Sequence, residues 1–120
     1  MQRIVLRAKL HRATITQADL NYEGSLTIDE QLMQAAGIVP FEQVKVYNIS
    51  NGERFETYAI SGAPGSGVIG LNGAAARRGH VGDLIIIACY CLMEDSELVG
   101  YHPEILLLDN GNRVKKELDI

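Results

Sequence analysis

The sequence predicts a mainly β protein, a small closed β-barrel with a few short helices. Three observations carry that expectation. Apolar and charged residues alternate near the N-terminus, an Asn51-Gly52 pair separates two strand-like runs, and only one stretch is capped and long enough for more than a turn or two of helix. At 120 residues, 47% of them apolar, the chain is read as one domain, residues 1–120, able to bury a core of its own.

From Arg3 to Thr16 the pattern has period two, with Ile4, Leu6, Ala8 and Leu10 on one face and Arg3, Arg7, Lys9 and His11 on the other, which is a strand. Gln17 to Gly24 reads as a loop or short extended run, and Ser25 to Ile28 as a short strand. Asp29 can cap a helix from Glu30 to Ala36, and Gly37 can stop it in the left-handed region. A strand from Gln43 to Ile49 and its return from Arg54 to Ile60 flank Asn51-Gly52. Gly62 to Gly70 is a glycine-rich loop, after which Asn72-Gly73 leads into at most a turn or two of helix over Ala74 to Arg78. Val81-Gly82-Asp83 is a turn. The apolar run Leu84 to Tyr90 implies a strand buried on both faces. Asp95 to Leu98 makes a helical turn, and Ile105 to Leu108 pairs with Val114 to Leu118 across Asp109-Asn110-Gly111.

Composition narrows the function classes. The net charge is -4, Trp is absent, and five Tyr and two Phe are the only aromatics, which argues against nucleic acid. The first 18 residues nevertheless hold Arg3, Arg7, Lys9, His11 and Arg12 with no acidic residue, an arm suited to a small acidic ligand. No apolar run reaches the roughly 18 residues of a membrane span, and the N-terminus lacks a signal-peptide core, so a cytoplasmic protein without membrane partners is expected. Cys89 and Cys91 share one strand face and read as free thiols, while His11, His80 and His102 have no metal-ligand spacing. Gly65-Ser66-Gly67-Val68-Ile69-Gly70 matches a dinucleotide fingerprint literally, but no substantial helix follows, so neither metal nor nucleotide is expected.

Three stretches can carry chemistry. In Tyr22-Glu23-Gly24-Ser25, glycine permits unusual backbone angles, and the serine hydroxyl lies one carbon from the amide nitrogen of its own peptide bond. A turn that presses this hydroxyl against the Gly24 carbonyl makes an N-to-O acyl shift intramolecular. Elimination from the resulting ester would then turn Ser25 into a pyruvoyl group. In Arg54-Phe55-Glu56-Thr57-Tyr58, alternation places Arg54, Glu56 and Tyr58 on one face and Phe55 and Thr57 on the other. The guanidinium suits a carboxylate, and the phenol can protonate a carbanion. Asn72-Gly73-Ala74-Ala75 offers an amide and free backbone N–H groups to an anion. Taken singly, each reads first as a solvated turn, a hairpin face or a close-packing segment.

Together, Lys9-Leu10-His11-Arg12, Tyr22-Glu23-Gly24-Ser25, Asn51 to Tyr58 and Asn72 to Ala76 closely resemble, in order and spacing, the aspartate 1-decarboxylase family. The resemblance extends from Arg3 to about Leu108. It implies a double-psi β-barrel in a homotetramer with active sites between subunits, and a zymogen that cuts itself between Gly24 and Ser25. The short chain would be residues 1–24 and the long chain residues 25–120, beginning with the pyruvoyl cofactor made from Ser25. The implied reaction turns L-aspartate into β-alanine and carbon dioxide for pantothenate biosynthesis, through a Schiff base with the substrate amine. By the same resemblance, Tyr58 is the proton donor, and Lys9 and Arg54 take the two carboxylates in an order left open. Thr57, Asn72, Gly73, Ala74 and Ala75 complete the pocket, with His11 and Tyr22 in support. Thr57 and Tyr58 should face opposite ways, so a bulge or a second subunit is needed to bring both to Ser25. A hydrolase using Ser25 as N-terminal nucleophile and a non-catalytic barrel that binds a ligand stay open as alternatives. The residues name neither a helper protein for maturation nor the base for the Ser25 elimination.

Overall fold

A computed structural model of the chain describes residues 1–119. The elements are β1 (Gln2–Thr14), β2 (Gln17–Asp19), β3 (Ser25–Asp29), α1 (Glu30–Ala36), β4 (Gln43–Asn48), β5 (Arg54–Gly62), β6 (Ile69–Asn72), β7 (Leu84–Glu94), β8 (Glu104–Leu108) and β9 (Val114–Leu118). Short 3-10 turns cover Gly73–Arg78 and Asp95–Leu98. The nine strands form one mixed sheet in the order β2-β6-β3-β5-β4-β7-β1-β8-β9. Three neighbour pairs are parallel, β1 with β8, β2 with β6 and β3 with β5, and the others are antiparallel. The mainly β expectation holds. Among the described residues the strand order runs from β2 to β9 as one nine-stranded mixed sheet.

The core is a single cluster that includes Leu10, Ile15, Leu26, Ile28, Val44, Val46, Ile69, Leu71, Ile85 and Ile87, all fully buried. The N-terminal alternation leads into it only in part. Ala8 and Leu10 are buried, but Ile4 is 77% exposed. Beyond Leu10 the inward parity switches to Ala13 and Ile15, because Arg12 adopts a φ of 65° where the β1–β7 register slips between Leu10 and Ala13. An inserted residue of this kind turns the following side chains to the other face.

The helix sits where capping chemistry places it. Asp29 Oδ1 accepts from the Gln31 N–H at 2.9 Å, and Gly37 ends the helix at a φ of 73°. The same carboxylate accepts from the N–H groups of Gly65 at 2.9 Å and Gly67 at 2.8 Å. Burial opposes ionisation of Asp29, but these three backbone donors outweigh it and hold the carboxyl below its ordinary range. The glycine-rich loop is thus cinched onto the helix start, and it feeds a strand, β6, which the sequence reading took for loop. All four β6 residues are buried. The Leu84–Tyr90 run is buried on one face but only partly on the other, with Ile86 half-buried and Tyr90 exposed.

Candidate functional site

Ser25 opens β3, opposite Asn72 of β6. Its side chain is 2% exposed, and its φ is 109°, a region that residues with a side chain rarely occupy. Such a conformation costs on the order of 1–3 kcal/mol and persists only where the surroundings enforce it. Here the surroundings are visible. Asn72 Nδ2 donates to Ser25 Oγ at 3.2 Å and to Thr27 Oγ1 at 2.8 Å, and the Ser25–Asn72 pair belongs to the β3–β6 ladder. Gly24 is exposed, with open space on its side-chain side. Gly73, at a φ of 60°, backs onto the same segment so closely that a Cβ there would stand 2.9 Å from the Tyr22 carbonyl oxygen and 3.0 Å from Gly24 Cα. Only glycine allows that approach.

A cavity of about 300 Å³ lies over Ser25, lined by Gly24, Ser25, Phe55, Glu56, Thr57, Tyr58, Asn72, Ala74, Ala75 and Arg78. Thr57 and Tyr58 therefore meet in one cavity of one chain, and no register shift separates them in the β4–β5 ladder. The expected bulge or second subunit is unnecessary for this. The reason is the open edge of β5: its pairing with β3 begins only at Ala59, so residues 54–58 are paired on the β4 side alone, and a cavity on the free edge is reached from both faces. Tyr58 is 40% exposed at this lip, with its ring centroid 6.4 Å from that of Phe41. Arg78 was not singled out from sequence. It lines the cavity while its guanidinium binds Glu53 at 2.6 Å and its carbonyl accepts from Asn48 and Asn51. The Arg77-Arg78 pair directly after the small-residue segment was the available signal.

The remaining candidates lie elsewhere. Tyr22 lines a neighbouring cavity of about 310 Å³ with Gln17, Asp19, Thr27 and Asn72. Arg54 lines another, of about 190 Å³, with Lys45, Tyr47, Phe55 and Glu56. Lys9 and His11 are on β1, beyond β4 and β7 in the strand order, and neither lines the Ser25 cavity. Burial, then the charges of Lys9 and Arg12, push the His11 imidazole down, and its Nδ1 is buried without a partner among the described residues. The Cys89 thiol is pushed up to about 11 chiefly by burial, which makes it a poor nucleophile. Among the described residues no cluster of His, Cys, Asp and Glu is placed to hold a metal ion, and no helix is long and apolar enough to cross a membrane.

A mixed sheet thus holds a buried serine at a rarely adopted φ, bonded to the Asn72 amide, in a cavity that Thr57 and Tyr58 also line, an arrangement suited to chemistry at that serine. Comparison with known proteins makes the class specific. A family model described as aspartate decarboxylase matches residues 1–115. The chain is similar to the aspartate 1-decarboxylase of Syntrophobacter fumaroxidans, 60% identical over 113 residues that span 94% of this chain and 91% of that protein. It is likewise similar to the aspartate 1-decarboxylases of Methylibium petroleiphilum, 58% identical over 96% of each chain, and Ralstonia nicotianae, 60% identical over 97% of each. The chain belongs to the aspartate decarboxylase family, and it is accordingly an enzyme, a decarboxylating lyase.

Proposed function

We propose that this protein converts L-aspartate to β-alanine and carbon dioxide in the cytoplasm, for pantothenate biosynthesis, using a pyruvoyl group made from its own Ser25. One observation supports the reading beyond family membership: the buried serine at a φ of 109°, bonded to Asn72, in the cavity that also takes Thr57 and Tyr58. That φ describes rotation about the bond from the Ser25 nitrogen to its Cα, so breaking the Gly24–Ser25 peptide releases the strain.

In maturation, Ser25 Oγ attacks the Gly24 carbonyl carbon. The new C–O bond forms as the Gly24–Ser25 C–N bond breaks, and the hydroxyl proton ends on the freed amine. Thr57 is the donor to the oxyanion in this step. Loss of the Ser25 Cα proton then expels the Gly24 carboxylate, and water replaces the nitrogen, which leaves as ammonia. The products are residues 1–24 and a long chain that starts at the former Ser25. The cavity fits that group, because the serine is its source and about 300 Å³ holds a four-carbon acid beside it. The pyruvoyl carbonyl supplies the electron sink for decarboxylation.

The side chains do the rest. Tyr58 at the lip protonates the former α-carbon, Arg54 and Lys9 take the two carboxylates, Asn72 and the Gly73-Ala74-Ala75 backbone close the pocket, and His11 and Tyr22 support it. We further propose a double-psi β-barrel, which the three parallel pairings interleaved with antiparallel ones support. The assembly is a homotetramer with sites between neighbours. Lys9 and His11 support this, because both stand away from their own chain's Ser25 cavity and His11 Nδ1 has no partner among the described residues.

Intact mass with N-terminal sequencing tests the reading. Two fragments, the longer one blocked to sequencing, are expected. A free N-terminal serine would instead make the protein a self-processing hydrolase, and one uncut chain without activity would make it a binding module.

A further inference from the structure

Arg54 differs from Arg3, Arg7 and Arg78 in its company. Arg3 binds Asp95 at 2.5 Å, Arg78 binds Glu53 at 2.6 Å, and Arg7 binds Glu42, whereas no carboxylate among the described residues pairs with Arg54. Glu56, which lines the same cavity, is engaged by Gln43 Nε2 at 2.6 Å and by Lys45 at 3.5 Å. Arg54 instead lies over the face of a ring. Its guanidinium carbon is 3.9 Å from the centroid of Tyr47, its directly opposed neighbour in the β4–β5 ladder. Stacking on a ring face orients a guanidinium without consuming its N–H donors, so the fork stays free for an anion.

The ring is itself held. Tyr47 Oη and Tyr90 Oη are 2.9 Å apart, a bond that joins β4 to β7 on the face where Arg54 lies. Lys45, between them, has Nζ 5.5 Å from the Tyr90 ring centroid. The bond to Tyr47, and then burial, push the Tyr90 phenol up to about 12, so it remains a hydroxyl across the neutral range.

We propose that Tyr47 and Tyr90 form a positioning pair: the hydroxyl–hydroxyl bond locks the Tyr47 ring, and the ring fixes the Arg54 guanidinium in the orientation that receives one carboxylate of the substrate. The proposal rests on the decarboxylase reading and on Arg54 as a carboxylate ligand. Neither tyrosine touches a reacting atom. The pair therefore acts on substrate binding, and its signature is a change in KM at unchanged kcat, which marks the loss of binding common to ground and transition states.

The test is steady-state β-alanine formation from L-aspartate by the processed enzyme, with thermal melting as a control for folding. Tyr90→Phe and Tyr47→Phe each delete the same hydrogen bond and keep both rings. Each should raise KM about threefold to tenfold with kcat near the parent's, and the double variant should be no worse than either alone. Tyr47→Leu removes the ring face as well and should raise KM further. An unchanged KM in Tyr90→Phe overturns the pair, as does a double variant whose effects simply multiply. A fall in kcat or melting temperature at constant KM also overturns it, since that reports packing alone. A parent enzyme that makes no β-alanine would sink the decarboxylase reading instead, so the two failures are distinct.

Discussion

At the scale of single residues, Thr57 and Tyr58 are adjacent in the chain and line the same cavity, yet the proposed chemistry gives them different events. Tyr58→Phe keeps the ring and its neighbour Phe41 while deleting the acid. Self-cleavage needs no phenol, so the variant should mature normally and form β-alanine about a hundredfold to ten-thousandfold more slowly. Normal turnover would remove Tyr58 as proton donor. Thr57→Val has nearly the parent shape without the donor, and loss of one oxyanion donor slows acyl transfer by about 10²–10³. Uncut chain should therefore accumulate on a gel, and maturation at the parent rate would clear Thr57 of any role in it. The conflict that alternation raised between these two residues came from reading the two faces of β5 without its free edge. Which strand edges stand open depends on pairings between distant segments, and period-two patterning carries no trace of them.

Elements were legible where their signals are local. The Asp29 cap and the Gly37 stop delimit α1 as expected, because each acts within one turn of its own position. β6 was missed because Ile69-Gly70-Leu71-Asn72 is short, contains glycine and does not alternate, being buried throughout. Asp29 also does more than capping statistics suggest, since its carboxylate organises the loop that leads into β6. Its folded pKa lies below the unfolded value, so its stabilisation is present above the unfolded pKa near 4 and is lost as pH falls through the folded one. Asp29→Asn should cost about 1.5–3 kcal/mol at neutral pH. It should also flatten part of the acid sensitivity below about pH 4. Urea melts of both proteins at neutral and acid pH measure this, and parallel losses in the two would exclude Asp29 as the titrating group.

Across the whole molecule, motif recognition gathered Lys9, His11, Arg54 and Ser25 into one site, while the sheet distributes them from β1 to β3. The proposed assembly between neighbouring subunits would resolve this, and it has a distinctive consequence. Co-expressed Lys9→Ala and Tyr58→Phe chains, each strongly impaired alone, should regain part of the activity in mixed tetramers, because some sites would draw an intact residue from each parent. Mixed assemblies that stay inactive would mean that each chain builds its site alone.

The place of β1 between β7 and β8, with β2 against β6, would have a further effect after the proposed cut at the Gly24–Ser25 bond. Residues 1–24 then supply two strands of a sheet whose other seven belong to a separate polypeptide. Before the cut, unfolding and refolding are unimolecular events. Afterwards, recovery requires two molecules to find each other and thread an interior strand back between its neighbours, so stability becomes a matter of mass action. The processed enzyme should melt at a temperature that rises with protein concentration and should recover poorly on dilution and cooling, whereas an uncut Ser25→Ala monomer, held below its assembly concentration, should show neither behaviour. Maturation, on this view, makes the fold a one-way possession: the chain assembles as a single thread, and the working enzyme keeps a structure that it can no longer readily rebuild.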